Sequence, residues 1–244
     1  MREARRLDGW AVRATATVAA TVLLTVCPSS RLASQVGYDP AHSPYHDLPR
    51  GGAVAISVGY LSGGRGDVGV GLSDGPTAGI RYEVPFGAIG ASLGVAYGRT
   101  NRFVVNPYKD TLSRKTGPYD QDVWLIDGGL QLSLTGRKSW RGFAPYIGGT
   151  LGVAIGGTEP RDTSGYKFGT EFIVGPTGGV RWYPARRLSV RADFRLILWK
   201  LDYPVQYKVP PPDAPGNPAV LPLTASLSDW TTHAWWTIGL GWNF

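Results

Sequence analysis

Apolar and polar side chains alternate along most of the chain after residue 52, and the last ten residues show this most clearly. A period of two is typical of a β-strand, in which neighbouring side chains point to opposite faces. We therefore predict a terminal strand from Thr231 to Phe244 with one strongly apolar face. That face consists of Trp236, Ile238, Leu240, Trp242 and Phe244.

Seven earlier segments alternate in the same way, which predicts eight strands of about the 9 to 11 residues that a tilted strand needs to cross a bilayer. Pro176 falls in the sixth strand and predicts a bulge or a local break there, because a closed barrel has no free edge. Short connections follow strands two, four and six. Long connections follow the other strands, at residues 61–77, 100–122, 156–167 and 202–230.

This alternation, the order of connections and the terminal Phe244 resemble the small outer-membrane barrels of the OmpA-like or opacity type. The resemblance covers residues 53–244 and implies an all-β, eight-stranded antiparallel up-and-down transmembrane β-barrel in the outer membrane of a Gram-negative bacterium. It also implies a monomer whose apolar terminal strand is recognised by the outer-membrane assembly machinery. Periplasmic chaperones, outer-membrane lipid and lipopolysaccharide are the other partners it implies.

A soluble lipocalin-like barrel is the alternative fold, because periodicity alone does not say whether the apolar face points inward or outward. The N-terminus favours the membrane barrel. Four arginines precede a short apolar run from Ala14 to Cys27, which is the layout of a secretory signal peptide. An uncleaved inner-membrane anchor is the competing interpretation, but the run is shorter than the about 20 apolar residues of a spanning helix. We predict a signal peptide at 1–34, a periplasmic lead-in at 35–52 and the barrel at 53–244.

Composition excludes several classes of function. The formal net charge is +7, of which residues 1–34 contribute five arginines and two acidic residues, so this mild excess does not indicate nucleic-acid binding. Cys27 is the only cysteine, which rules out an intramolecular disulfide. His42 and His46 would share a face only on a helix, and the prolines beside them argue against one. We expect no metal site and no cofactor.

Charged residues fall on the face opposite the apolar one and would point into the barrel. Eight strands enclose a lumen that side chains can fill, so these charges should form pairs. The pairs predict a plugged, ion-paired lumen; a narrow gated pore whose pairs exchange partners is the alternative. The predicted network comprises Arg81, Glu83, Asp127, Glu171, Arg181, Arg191, Asp193 and Arg195.

The function predicted from these features is non-enzymatic, with a structural or surface-interaction role carried by the extracellular loops. Basic residues of the second long loop, such as Arg99 and Arg102, could contact lipopolysaccharide phosphates. The alternative is a lipid A-modifying enzyme that uses His233, an inward-facing histidine that follows Ser226, Ser228 and Asp229 in sequence. A base that activates a serine must contact it, which only a structure can show.

Overall fold

A computed structural model describes residues 43–157, 159–160, 162–211 and 216–244. The predicted signal peptide and the first part of the predicted lead-in, 35–42, lie outside the described residues. Among the described residues, no helix is long and apolar enough to cross a bilayer. The strands are β1 (Tyr45–Asp47), β2 (Ala53–Gly63), β3 (Gly75–Phe86), β4 (Ile89–Val105), β5 (Lys115–Ser133), β6 (Lys138–Trp140), β7 (Phe143–Gly156), β8 (Thr170–Ala185), β9 (Leu188–Asp202) and β10 (Ser228–Asn243).

The eight long strands form a closed antiparallel ring in chain order. Each pairs with the next along the sequence, and β10 returns to pair with β2 from His233↔Gly63 to Asn243↔Ala53. The short strands β1 and β6 pair with each other and lie outside this ring of eight. This topology confirms the predicted eight-stranded up-and-down barrel. We call the end with Phe244 and the short connections the turn end, and the opposite end the loop end.

The outer surface of the barrel is an apolar band, as the alternation predicted. Val58, Leu93 and Ile238 are each at least 60% exposed, whereas charged residues such as Arg81, Asp127 and Arg191 are buried inside the barrel. Aromatic side chains lie on the outer face near both ends of the band, which is the surface of a membrane-spanning barrel. They are Tyr60, Tyr97, Trp124, Phe172 and Trp230 toward the loop end, and Tyr82, Phe86, Phe143, Trp182, Trp242 and Phe244 toward the turn end.

One predicted boundary was wrong. The predicted loop 100–122 is mostly strand, because β4 continues to Val105 and β5 begins at Lys115. Polar cross-strand pairs hold this extension together, such as Arg99 with Asp120 at 2.9 Å. Within the predicted lead-in, residues Tyr45–Asp47 form the short strand β1.

Pro176 was only partly interpreted correctly. The ladder from β8 to β9 skips Gly175 and Pro176, but its register is unchanged from Val174↔Leu198 to Thr177↔Arg195. The register shift lies nearer the turn end, between Trp182 and Ala185. Pro176 therefore interrupts the pairing locally without adding a residue to the strand.

Candidate functional site: the side chains inside the barrel

The half of the lumen toward the turn end holds a buried ion-pair network centred on Arg191. The Arg191 guanidinium contacts Glu83 across the barrel and donates through Nε to Asp193 Oδ2 at 2.8 Å. The Arg181 guanidinium lies 3.1 Å from the Glu83 carboxylate, and the Arg195 guanidinium lies 3.4 Å from the Asp193 carboxylate. A single arginine thus connects β9 to β3, and its two carboxylates each hold a further arginine.

Asp127 joins this network from the other wall of the barrel. Its carboxylate oxygens lie 2.9 and 2.6 Å from Arg81 Nη2, and its Oδ1 lies 3.9 Å from Arg195 Nη1. Arg195 also lies 4.3 Å from the ring centre of Trp235, so the aromatic face covers the guanidinium. Buried charges cost free energy unless they are paired and hydrogen-bonded, and this arrangement satisfies both conditions.

Neutral side chains complete the layer, and sequence reasoning missed their role. The hydroxyl of Tyr146 donates to Asp193 and lies 3.0 Å from Arg191 Nη2. Gln131 accepts from Arg181, and Thr150 donates to Asp127 at 3.0 Å. All three lie at inward positions of the alternating strand pattern. That position was the signal in the sequence that could have placed them in the lumen.

Glu171 is a correction to the predicted network. The structure joins seven of the eight predicted charges in ion pairs. Glu171 is near the start of β8 at the loop end, where the charges acting on it are those of Asp202 and Lys200. Glu171 is at an inward position of β8, as predicted. However, it lies near the loop end of that strand, away from the lumen arginines.

The half of the lumen toward the loop end contains an apolar core, which we call the loop-end core. Side chains from the inner faces of the strands meet side chains from the loops, as in a soluble protein. Leu72 comes from the first long loop and Tyr207 from the last, and both are fully buried. The cluster contains Leu61, Val70, Leu72, Ala96, Val105, Val123, Leu125, Ala154, Tyr166, Phe168, Ile173, Ile197, Trp199, Leu201, Tyr203, Tyr207, Leu221 and Trp235.

A second buried ion pair ties a loop to this core. Arg102, at the loop end of β4, lies 2.6 Å from Asp162 in the loop between β7 and β8. Gln121 of β5 accepts from the same guanidinium, whose carbon lies 5.2 Å from the ring centre of Tyr166. Arg102 is therefore buried and paired, and does not form part of a free basic surface.

His233 packs against Trp199 of the loop-end core and shows no catalytic arrangement. Its ring is fully buried and stacks on Trp199 with 3.8 Å between centroids. Its Nε2 lies 3.0 Å from the hydroxyl of Thr231. The neighbouring serines contact each other, with Ser226 and Ser228 hydroxyls 3.3 Å apart. The structure does not bring these serines to the histidine.

Four of the five apolar residues predicted as the assembly signal lie on the outer face of β10, and the fifth, Phe244, directly follows that strand; each is more than half exposed. The terminal Phe244 stacks with Tyr82 of β3 and donates its backbone N–H to the Gly52 carbonyl at 3.0 Å. Within the described part of the chain, no group of three or more metal-ligating side chains is present.

No protein-family model matches this chain, and no curated protein sequence matches it. Solved structures similar to it include Neisserial surface protein A, at 13% identity and a TM-score of 0.49 over 79% of this chain and 97% of the other. Ail, the attachment invasion locus protein of Yersinia pestis, is similar at 12% identity and a TM-score of 0.37, over 80% and 99%. A major outer membrane protein of Thermus thermophilus is similar at 14% identity and a TM-score of 0.39, over 79% and 99%.

Proposed function

We propose that this chain is an outer-membrane barrel with a closed lumen that acts through the surface of its extracellular loops, without conducting solutes or catalysing a reaction. The observation that supports the proposal is that buried side chains occupy both halves of the lumen. An ion-pair layer occupies the half toward the turn end, and an apolar core occupies the half toward the loop end.

The apolar band supports the membrane location. A soluble barrel hides its large apolar side chains, whereas this barrel exposes a band of them around its outer face and buries an ion-pair network inside. In the outer membrane the turn end would face the periplasm and the loop end the cell exterior. This is the orientation in which short turns are periplasmic and long loops extracellular.

The side chains buried inside the barrel argue against a pore. Gating by exchange of ion-pair partners could open only the polar layer, because the loop-end core is built from uncharged side chains. Leu125, Ile197 and Trp199 are each fully buried there and would have to leave their packing before water could pass. The burial of His233 and its separation from the serines likewise favour a non-enzymatic role.

Ordered loops support the surface-interaction role. Asp67 in the first long loop donates its backbone N–H to the Asp229 carboxylate at 3.0 Å, which joins that loop to the start of β10. Arg65 in the same loop binds Asp74 at 2.7 Å. A loop surface fixed in this way can bind a partner with little loss of conformational entropy.

Two experiments test the proposal. The matched variants Leu132→Cys and Gln131→Cys place neighbouring cysteines on the outer and inner faces of β5. In membranes, a lipid-soluble probe should label position 132 far better than a water-soluble probe does. Strong water-soluble labelling at position 132 would contradict the membrane location. In planar bilayers, the unmutated protein should show no stable conductance of porin size. A large, steady conductance would show that the lumen is open.

A lipid A-modifying activity is tested separately. Lipid A mass spectra from cells with and without the protein should be the same. A mass difference that His233→Ala abolishes would overturn the non-enzymatic proposal.

A further inference from the structure

Charge is distributed unequally between the two ends of the barrel. The four long connections at the loop end, residues 64–74, 106–114, 157–169 and 203–227, contain six basic and six acidic residues. The segments at the turn end, residues 43–52, 87–88, 134–142 and 186–187, contain six basic residues and one acidic residue, Asp47. We call these six cations the basic rim: Arg50, Arg137, Lys138, Arg141, Arg186 and Arg187.

The basic rim is exposed and unpaired. All six side chains are exposed to solvent, and none forms an ion pair with any residue that the structure describes. Each lumen arginine pairs with a carboxylate, and so do Arg65, Arg99 and Arg102 among the loop-end cations. Six like charges at one end repel one another, so this end would be stabilised by an anionic partner.

The backbone under the rim is ordered. The Arg137 carbonyl accepts the Leu48 N–H at 3.0 Å, and the Arg141 N–H donates to the Pro44 carbonyl at 2.7 Å. The Arg187 carbonyl accepts the Asn243 N–H at 2.8 Å. These rim cations are therefore carried on turns that are fixed to the lead-in and to the last strand, rather than on free segments.

The position of the basic rim along the barrel axis indicates which anion it would contact. Trp140, Phe143, Trp182 and Trp242 are exposed at the same end and mark the edge of the apolar band. The Arg141 guanidinium lies 5.3 Å from the ring centre of Trp140, so cation and aromatic ring occupy one level. Lipid phosphates lie directly beyond the acyl chains, which makes them the anions nearest to cations at this edge.

We propose that the basic rim binds the headgroups of anionic phospholipids in the periplasmic leaflet. The proposal rests on the membrane orientation proposed above. Arginine binds phosphate oxygens with two parallel hydrogen bonds, and five of the six rim cations are arginines. Each cation near an anionic surface contributes about a fivefold preference, so several together would select phosphatidylglycerol over phosphatidylcholine.

The test measures which lipids the full protein retains. The protein is inserted into bilayers of phosphatidylcholine and phosphatidylglycerol in equal amounts, extracted gently, and its bound lipids are counted by mass spectrometry. We expect phosphatidylglycerol to be enriched about fivefold or more at low salt, and less at high salt because ions screen exposed charges. No enrichment in the unmutated protein would overturn the proposal.

A matched pair of variants locates the effect. In one, Arg137, Arg141, Arg186 and Arg187 are changed to Gln; in the other, the loop-end cations Lys109, Arg114, Lys167 and Lys208 are changed to Gln. The first should lose most of the enrichment and the second should keep it. Equal loss in both would show a general charge effect and overturn the assignment to the rim. Rim-dependent binding to isolated peptidoglycan without lipid enrichment would assign the rim to the cell wall and overturn the lipid proposal.

Insertion is measured separately in pure phosphatidylcholine, by the gel shift of the folded barrel and by protection from protease. Failure to insert in any bilayer would count against the membrane barrel itself. Insertion without headgroup preference would count only against the basic rim as a lipid site.

Discussion

Arg81 on β3 and Asp127 on β5 meet across a strand position that has no side chain. In the register of the sheet, Arg81 pairs with Gly94 of β4, and Gly94 pairs with Asp127. A Cβ atom on Gly94 would lie 2.8 Å from Arg81 Nη2 and 3.0 Å from Asp127 Oδ1. The glycine therefore leaves the space in which the ion pair forms.

Gly94→Ala should accordingly weaken this pair. The new methyl group must displace one of the two charged ends, and overpacking of this kind costs about 1–3 kcal/mol in the free energy of unfolding. Urea unfolding of the barrel in lipid or detergent would measure the loss. Gly90→Ala is the matched control, because its Cβ would first meet the Val84 carbonyl at 3.6 Å, an ordinary contact. Equal loss at both positions would contradict the explanation.

Asp193→Asn should destabilise the barrel more than Arg191→Gln. The seven paired lumen charges are four arginines and three carboxylates, so the network has a net charge of +1. Loss of Asp193 raises that excess and leaves Arg195 with only a distant carboxylate, 3.9 Å away on Asp127. Breaking a fully buried pair costs about 3–5 kcal/mol. The temperature at which the gel shift of the folded barrel disappears would measure both variants, and the reverse order would show that Arg191 is the indispensable charge.

Leu72→Ala should loosen the loops, because Leu72 is a loop residue that is fully buried in the loop-end core. Removing a buried leucine costs about 2–5 kcal/mol. We expect faster proteolysis within residues 64–74 in cells or reconstituted membranes. Leu112→Ala is the comparison, since Leu112 is also a loop residue but is 97% exposed. It should leave the proteolysis rate unchanged, and similar rates for the two variants would argue that the loops do not share a core.

Phe244→Asp should lower the amount of protein in the outer membrane. The resemblance to small outer-membrane barrels assigns recognition by the assembly machinery to the terminal aromatic strand. Phe86→Asp tests whether position matters, because Phe86 is at the same end of the barrel and both rings are 65% exposed. The variant at 244 should accumulate much less than the variant at 86, as measured in membrane fractions. Equal levels would mean that the charge disturbs the lipid contact rather than recognition.

Alkaline pH should weaken the packing of the last long loop through Tyr207. Burial raises the pKa of Tyr207 to about 12, above the value of about 10 for an exposed tyrosine. The neutral phenol therefore contributes stability that is fully present below pH ~10 and is lost as the pH rises through about 12. In a pH titration followed by tyrosinate absorbance, Tyr207→Phe should lose one of the ionisations seen near pH 12. Tyr108→Phe removes a ring that is 45% exposed and should leave that ionisation in place.

The period of two predicted the faces of the strands well but not how far the strands continue. Beyond the apolar band both faces can be polar, so residues 100–105 and 115–122 resembled a loop although they form cross-strand pairs. Three-residue strands such as β1 are too short to show a period. Their pairing with residues about 90 positions away is a tertiary contact that no local pattern contains.

The sequence did not predict the loop-end core, because the inward charges indicated a polar lumen along the whole barrel. Leu196, Ile197, Leu198 and Trp199 form a continuous apolar run, which indicates that both faces of β9 are covered by apolar surroundings at that height. Ile197 and Trp199 are indeed fully buried on the inner face. The loop residues that pack on them carry no periodic signal, so only the structure could bring them together.

The burial of loop residues has a consequence for immune recognition of this protein. A peptide copied from residues 64–74 would display Val70 and Leu72, whereas the folded chain hides both side chains completely. Antibodies raised against that free peptide would bind atoms that intact cells never present. Antibodies that bind intact cells should recognise a conformational epitope formed by several loops together. They should no longer bind when the protein is denatured.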